Sequence, residues 1–237
     1  MLILASGLQA AEPPANLLRR AAARETETAR IQSNYTYRQT VTLEELDSHG
    51  ALAGEYREVR DIVFSPTQER TEQLVGKPFL TLRNLKMTEE DFRDIREIQP
   101  FLLTNDQAFL YESKYRGEEI MDGVSCYVME IRPRQLLEGQ RLFEGLLWID
   151  QSDFSIIRSA GQAVPQIRTT QQENLFPHFT TIRRKVAGGY WFPVMTYGDD
   201  TLYFRSGPQR ERLTIRYTDY KRFGTDTTIT FASPERQ

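Results

Sequence analysis

From Ser33 onward the chain alternates in side-chain character with a period of two, and this constrains the fold more than any other feature. NYTYRQTVTLEEL, rich in Tyr, Thr and Val, reads as a strand with one buried face. Asp47-Ser48-His49-Gly50 is a turn, EYREVRDIVFS resumes the alternation, and a third strand follows around Glu69 to Leu74. AFLYESKYRGEEIMDGVSCYVMEIRPR reads as two strands joined around Gly117 and Asp122-Gly123. The last third is a meander: RLFEGLLWID, FSIIRSAGQAV, HFTTIRRKV, YWFPVMTYG, TLYFRS and ERLTIRYTDYKRF. Its turns fall at DQSD (150–153), Gly188-Gly189, Gly198-Asp199-Asp200 and Ser206-Gly207-Pro208. Connections this short make neighbouring strands antiparallel, so the chain is mainly β. Two helices interrupt the pattern. NLLRRAAARETETARI carries Leu17, Leu18, Ala21 and Ala22 at helical spacing. Thr88 precedes Glu89-Glu90-Asp91 as an N-cap, Phe92, Ile95 and Ile98 share a face, and Pro100 ends that helix.

Several strands are apolar on both faces. Leu142, Leu146 and Trp148 oppose Phe143, Leu147 and Ile149, while Trp191 and Met195 oppose Tyr190, Phe192 and Val194. An open antiparallel sheet has one wet face and alternates cleanly, so these strands need cover on both sides or a concave surface that receives helices or a greasy ligand. Core packing under the helices takes most of this surface, and the remainder has the character of a lipid pocket. The residues predicted to contact such a ligand are Leu146, Trp148, Phe154, Ile156, Trp191 and Met195 from the strands and Phe92 and Ile95 from the second helix.

Chemistry is mostly excluded. The net charge is -3, from 30 basic and 33 acidic residues mixed throughout the 237, which argues against a nucleic-acid face. The single cysteine, Cys126, lies in the alternation of CYVMEI and reads as a small buried hydrophobe. His49 and His178 have no second ligand at metal spacing. Asp150/Asp153, Glu89/Glu90 and Asp199/Asp200 sit at turns or a helix start, where Asp bonds its own backbone, so they read as turn formers. There is no nucleophile elbow, phosphate-cradling loop or dinucleotide fingerprint. IRRKV and YKRF read as solvated exterior. No catalytic residue, metal ligand or cofactor is assigned. No stretch approaches the ~20 apolar residues of a membrane span. Residues 1–11 read as a signal-peptide remnant and 12–237 as one domain, since neither a repeat nor a linker divides it.

The helix followed by NYTYRQTVTLEEL, in which Tyr37-Arg38-Gln39 is one residue short of aromatic-x-x-Gln, resembles the opening of the periplasmic lipoprotein-localisation superfamily. FEGLLWIDQSDFSIIRSAG resembles its paired strands, and GGYWFPVMTYGDD with ERLTIRYTDYKRF fits the meander of outer-membrane lipoprotein-sorting proteins. The resemblance spans most of the chain from about residue 15. It implies a strongly curved antiparallel sheet, an incomplete barrel, with helices covering the concave face. The gap between them holds lipid or lipoprotein acyl chains, in a non-enzymatic protein of the periplasm or cell envelope. The resemblance also implies a basic lid latch on an early strand. Arg38 lies at about that place, with Arg57 and Arg60 competing, and residues 65–105 depart from the carrier pattern. The alternative is a protein-interaction or envelope-stress sensor module on the same fold, using Tyr217, Tyr220, Lys221 and Arg222 as its contact surface. A hydrolase would need polar residues converging in a cleft.

Overall fold

The computed structural model describes residues 14–65, 67, 69–168, 173–186 and 189–223. The signal-peptide reading of residues 1–11 and the turn glycine Gly188 lie outside them. Helix α1 (Leu17–Gln32) leads into β1 (Tyr35–Leu46), β2 (Leu52–Phe64), β3 (Arg70–Leu74) and a two-residue β4 (Phe79–Leu80). A covering segment follows, with α2 (Glu89–Arg93), a π-helical turn (Asp94–Ile98) and α3 (Asn105–Ala108). The remaining strands are β5 (Tyr111–Met121), β6 (Val124–Pro133), β7 (Leu142–Asp150), β8 (Ile156–Val164), β9 (Ile167–Arg168), β10 (Glu173–Asn174), β11 (Phe179–Lys185), β12 (Trp191–Phe204) and β13 (Gly207–Arg222).

One antiparallel sheet runs β3-β2-β1-β13-β12-β11-β8-β7-β6-β5, with β4 also on β2, while β9 and β10 form a separate pair. The sheet is curved and open, and the helices cover its concave face. Helix α1 buries Leu17, Ala21, Glu25, Thr28 and Gln32, the i, i+3/i+4 ladder that the Leu17/Ala21 spacing begins. On the concave side it covers β5–β8 and the start of β11, where Phe143, Leu147, Ile149, Ile156 and Phe179 pack with Phe101 and Leu103. The other half of that face, over β1, β2 and β13, packs Val41, Leu43, Tyr56, Ile62, Leu213 and Ile215 against Leu85 and Ile95. The strands that are apolar on both faces find a third cluster on the convex side: Cys126, Val128, Trp148, Ile157 and Trp191.

Thr88 caps α2 as expected. Its Oγ1 accepts from Asp91 N at 3.2 Å, while an Asp91 carboxylate oxygen accepts from Thr88 N at 2.7 Å. The helix lasts one turn before Gln99 N bonds back to Asp94 O at 3.0 Å, five residues away. The wider turn brings Asp94, Ile95 and Ile98 inward together.

Two expectations are corrected. Gly117 is a bulge inside β5, and the turn is Asp122-Gly123, both at positive φ. Gly198-Asp199-Asp200 is not a turn, because β12 runs straight through it. A Cβ on Gly198 would lie 2.4 Å from His178 O, so glycine permits a close backbone crossing there. Asp199 pairs across the strands with Arg210 and Arg212, and Asp200 bonds His178. Asp150 and Asp153, by contrast, are turn formers: they accept from Ser152 N at 2.8 Å and Ser155 N at 2.9 Å. Cys126 is fully buried, and burial pushes its thiol up to about 11.

Candidate functional site

The middle of the concave face is polar, and it is where the covers attach. Arg183 stands at an inward position of β11, two residues after Thr181. Its side chain has no exposed surface. It donates to Glu25 of α1 at 2.7 Å, to Ile156 O at 3.1 Å, and to the carbonyls of Pro100 and Phe101, where the covering segment leaves its π turn. A single guanidinium thus ties both covers to the sheet through charge-assisted bonds from its two terminal nitrogens. The reading of IRRKV as solvated exterior fails here, because strand alternation turns Arg183 inward while Arg184 faces out to Asp122. Glu25 occupies the α1 position that continues the Leu17/Ala21 stripe, which is the signal that marks it as buried. Beside the clamp a polar ladder crosses β11, β12 and β13. Thr181 shares a bond with Thr196 at 2.7 Å, Thr196 with Tyr217 at 3.2 Å, and Thr181 also donates to Gln99 O.

Two cavities flank the π-helical turn, both on the β1/β2/β13 half. The larger, about 740 Å³, is a crevice between α1, β1–β3 and residues 96–106. Ala23, Ala29, Tyr37, Phe64, Pro100 and Leu102 supply its apolar walls, and Glu27, Arg30, Arg70, Arg96 and Asp106 its charged ones. The smaller, about 290 Å³, lies between Leu43, Glu211 and Leu213 on the sheet and Leu85, Asp91, Ile95 and Leu175 above it. Beside the smaller cavity, Glu45 anchors the strap before α2 by accepting from the N–H groups of Arg83, Asn84 and Leu85 at 2.9, 3.0 and 3.2 Å. Burial pushes this carboxyl up, but those donors more than offset it and hold it below its ordinary range.

The predicted ligand contacts do not come together. Trp148 and Trp191 lie in the convex cluster with Leu146 packed on it, and Leu146 and Trp148 alternate along β7 with Leu147 and Ile149, which face the helices. Arg158 stands 5.5 Å from the Trp148 ring and Lys185 5.2 Å from that of Trp191, which lines a separate outer crevice of about 440 Å³ with both cations, and Trp148 Nε1 donates to Glu119. Met195 is half-buried opposite Ile182 and Arg216. Ile156 is sealed under α1, and Phe154, at φ 63°, is a tooth gripped by the Arg20 guanidinium 3.6 Å from its ring centroid. Phe92 packs edge-on to Tyr56, and Ile95 is the one residue of the eight that lines either cavity. Arg38 points to the outer face, where Asp61 holds it at 2.8 and 3.0 Å, so it is not placed to latch a cover. Arg60 is likewise engaged, by Glu58 and Glu72, and Arg57 lies near Glu55. Of the alternative contact surface, Tyr217 is buried in the polar ladder and Tyr220 donates to Pro193 O at 2.7 Å, which leaves Lys221 and Arg222 exposed.

No protein-family model and no curated protein sequence matches the chain. Solved structures do. A DUF1329 family protein from Desulfovibrio piger is 12% identical over 92% of this chain and 96% of that one, with a TM-score of 0.42. A LolA superfamily protein from Nitrosomonas europaea is 15% identical over 90% and 95%, with a TM-score of 0.36. An outer membrane lipoprotein-sorting protein domain from Vibrio parahaemolyticus is 11% identical over 89% and 93%, with a TM-score of 0.38. The superfamily that the sequence resembles is thus among the matched structures. At these identities and TM-scores the likenesses transfer no activity, ligand or partner to this chain. No helix among the described residues is long and apolar enough to cross a membrane.

Proposed function

We propose that the chain, from residue 12 to 237, is a single-domain, non-enzymatic binding protein of the cell envelope. Its ligand is a lipid or lipoprotein acyl chain, received in the crevice between α1, β1–β3 and residues 96–106. The observation that carries this reading is the crevice itself. At about 740 Å³ it falls within the range of ligand pockets, and its walls are mostly apolar while its charges include three arginines. Burying an acyl chain there contributes ~0.8 kcal/mol per methylene. The arginines suit a carboxylate or phosphate at the chain's head. Two of the crevice walls, α1 and the Pro100-Phe101 backbone, are tied by Arg183, so the clamp sets how far it opens. Export of the protein, with residues 1–11 as the end of its leader, belongs to the same proposal.

The test is binding of a fluorescent long-chain fatty acid to the purified chain and to two filled variants, Ala29→Phe and Leu102→Trp. Saturable binding by the wild type, weakened at least tenfold in both variants at unchanged helix and sheet content, supports the reading. Absence of binding, or equal affinity in all three proteins, would sink it.

A further inference from the structure

The smaller cavity holds a group that the acyl-chain reading does not use. Glu211 is 4% exposed, lines the cavity, and makes no hydrogen bond or ion pair among the described residues. The carboxylates around it are all engaged. Asp91 accepts from Thr88 N, Thr88 Oγ1 and Asn174 Nδ2 at 2.7, 2.9 and 2.7 Å. Glu173 pairs with Arg168 and accepts from Arg205 N at 3.0 Å. Glu45 and Asp200, directly across from Glu211 on the two neighbouring strands, are held by the strap backbone and by His178 with Thr201 N. Three carboxyl groups therefore stand abreast on β1, β13 and β12, an arrangement that costs energy when like charges lie directly opposite. Burial, then the charges of Asp91 and Asp200, push Glu211 up to about 8. The cation lining the cavity is Lys86, whose residue is exposed and which makes no ion pair among the described residues.

A buried carboxyl without a donor needs one, and a negatively biased apolar cavity selects what can supply it. A carboxylate or phosphate is repelled by Asp91 and Glu173. A hydroxyl offers one donor and no charge. An ammonium offers three donors and the missing counter-charge. We propose that this cavity binds a primary ammonium group on a short apolar body, the ammonium against Glu211 and the body against Leu43, Leu85, Ile95 and Leu213. At about 290 Å³ the space suits a small amine or the end of a lysine side chain. The site shares no lining residue with the crevice, so its success or failure is independent of acyl-chain binding.

Isothermal titration of the purified chain at pH 8.5 with hexylammonium, hexanol and hexanoate tests this. The expected result is that hexylammonium binds at least tenfold more tightly than hexanol, with no detectable hexanoate binding. Glu211→Gln, which keeps the side-chain shape, brings hexylammonium down to the hexanol level and leaves hexanol unchanged. Alkylammonium stays charged to about pH 10 while Glu211 loses its proton near 8, so hexylammonium affinity rises roughly tenfold or more between pH 6.5 and 8.5. The groups facing Glu211 are Asp91, Glu173, Glu45, Asp200 and Lys86, and only a change of charge at Glu211 itself predicts that the slope disappears in Glu211→Gln. N-acetyl-lysine methylamide, titrated in parallel, separates the sources. Tighter binding than hexylammonium points to a lysine side chain, weaker binding to a free amine, and either ordering supports the ammonium site. Equal affinity for hexanol and hexylammonium in the wild type overturns it. So does hexylammonium binding that emerges only in Lys86→Met, which would make Lys86 the internal counter-charge.

Discussion

The two halves of the concave face are made from the same alternating strands, yet one is filled and the other is not. Over β5–β8 the inward positions carry the large apolar Phe143, Leu147, Ile149 and Ile156 among small residues such as Ser159 and Ala163, and a four-turn helix lies across them. There Gly145 and Gly161 face each other, and a Cβ on either would come within 2.8 Å of the Phe143 ring. The glycine pair lets Phe143 lie flat on the sheet and stack on Phe101 with centroids 4.5 Å apart. Over β1, β2 and β13 the inward positions include Gln39, Glu45 and Glu211, and the cover is a five-residue helix, a π turn and an irregular strap. Both cavities lie on that side. Strand chemistry makes the face, but the length and regularity of its cover decide whether it becomes core or site.

Substitutions should therefore separate the halves. Phe143→Ala removes a fully buried ring from the filled half and is expected to cost about 4 kcal/mol in denaturant unfolding. Phe64→Ala, half-buried at the crevice, is expected to cost less than a third of that; equal losses would erase the distinction. Arg183→Met leaves Glu25 buried without its cation and is expected to cost about 3 kcal/mol, with part of the loss recovered in the double variant with Glu25→Met. A full, additive loss in the double variant would mean that the pair is not coupled. A few kcal/mol of pH dependence should arise from Glu211. Its folded pKa is raised, so between about pH 4.5 and 8 the folded chain keeps a proton that the unfolded chain has released. Stability thus falls as pH rises through that window, and Glu211→Gln should flatten the profile. The smallest effect is expected at Arg38. Replacing it by Ala breaks a solvent-exposed pair and should leave both stability and acyl-chain binding at the wild-type level.

Much of the sheet was legible because period-two alternation reports a half-buried strand directly, as in β1, β2 and β13. The capping box at Thr88 and the turn at DQSD were readable because each is a local device. What failed was non-local. Gly198-Asp199-Asp200 has turn composition, yet its glycine serves a close crossing with His178 and its first aspartate a cross-strand pair with arginines more than ten residues away. Size and apolarity mark the eight predicted ligand contacts, but which face of β7 and β12 lies under the helices depends on the cover, and no single strand encodes that. Arg183 was hidden because a buried arginine looks like any other in a basic run. Only the inward parity of Phe179, Thr181 and Arg183, set beside Glu25 on the α1 stripe, marks it.

The central claim is that the unfilled half receives an acyl chain. Paramagnetic broadening of the protein's NMR signals by a spin-labelled fatty acid tests it most directly. Broadening centred on Ala29, Tyr37, Phe64 and Leu102, with Phe143, Leu147 and Trp148 unaffected, is the predicted result. Broadening centred on the α1-covered cluster or on the convex tryptophans, or none at saturating probe, would contradict it.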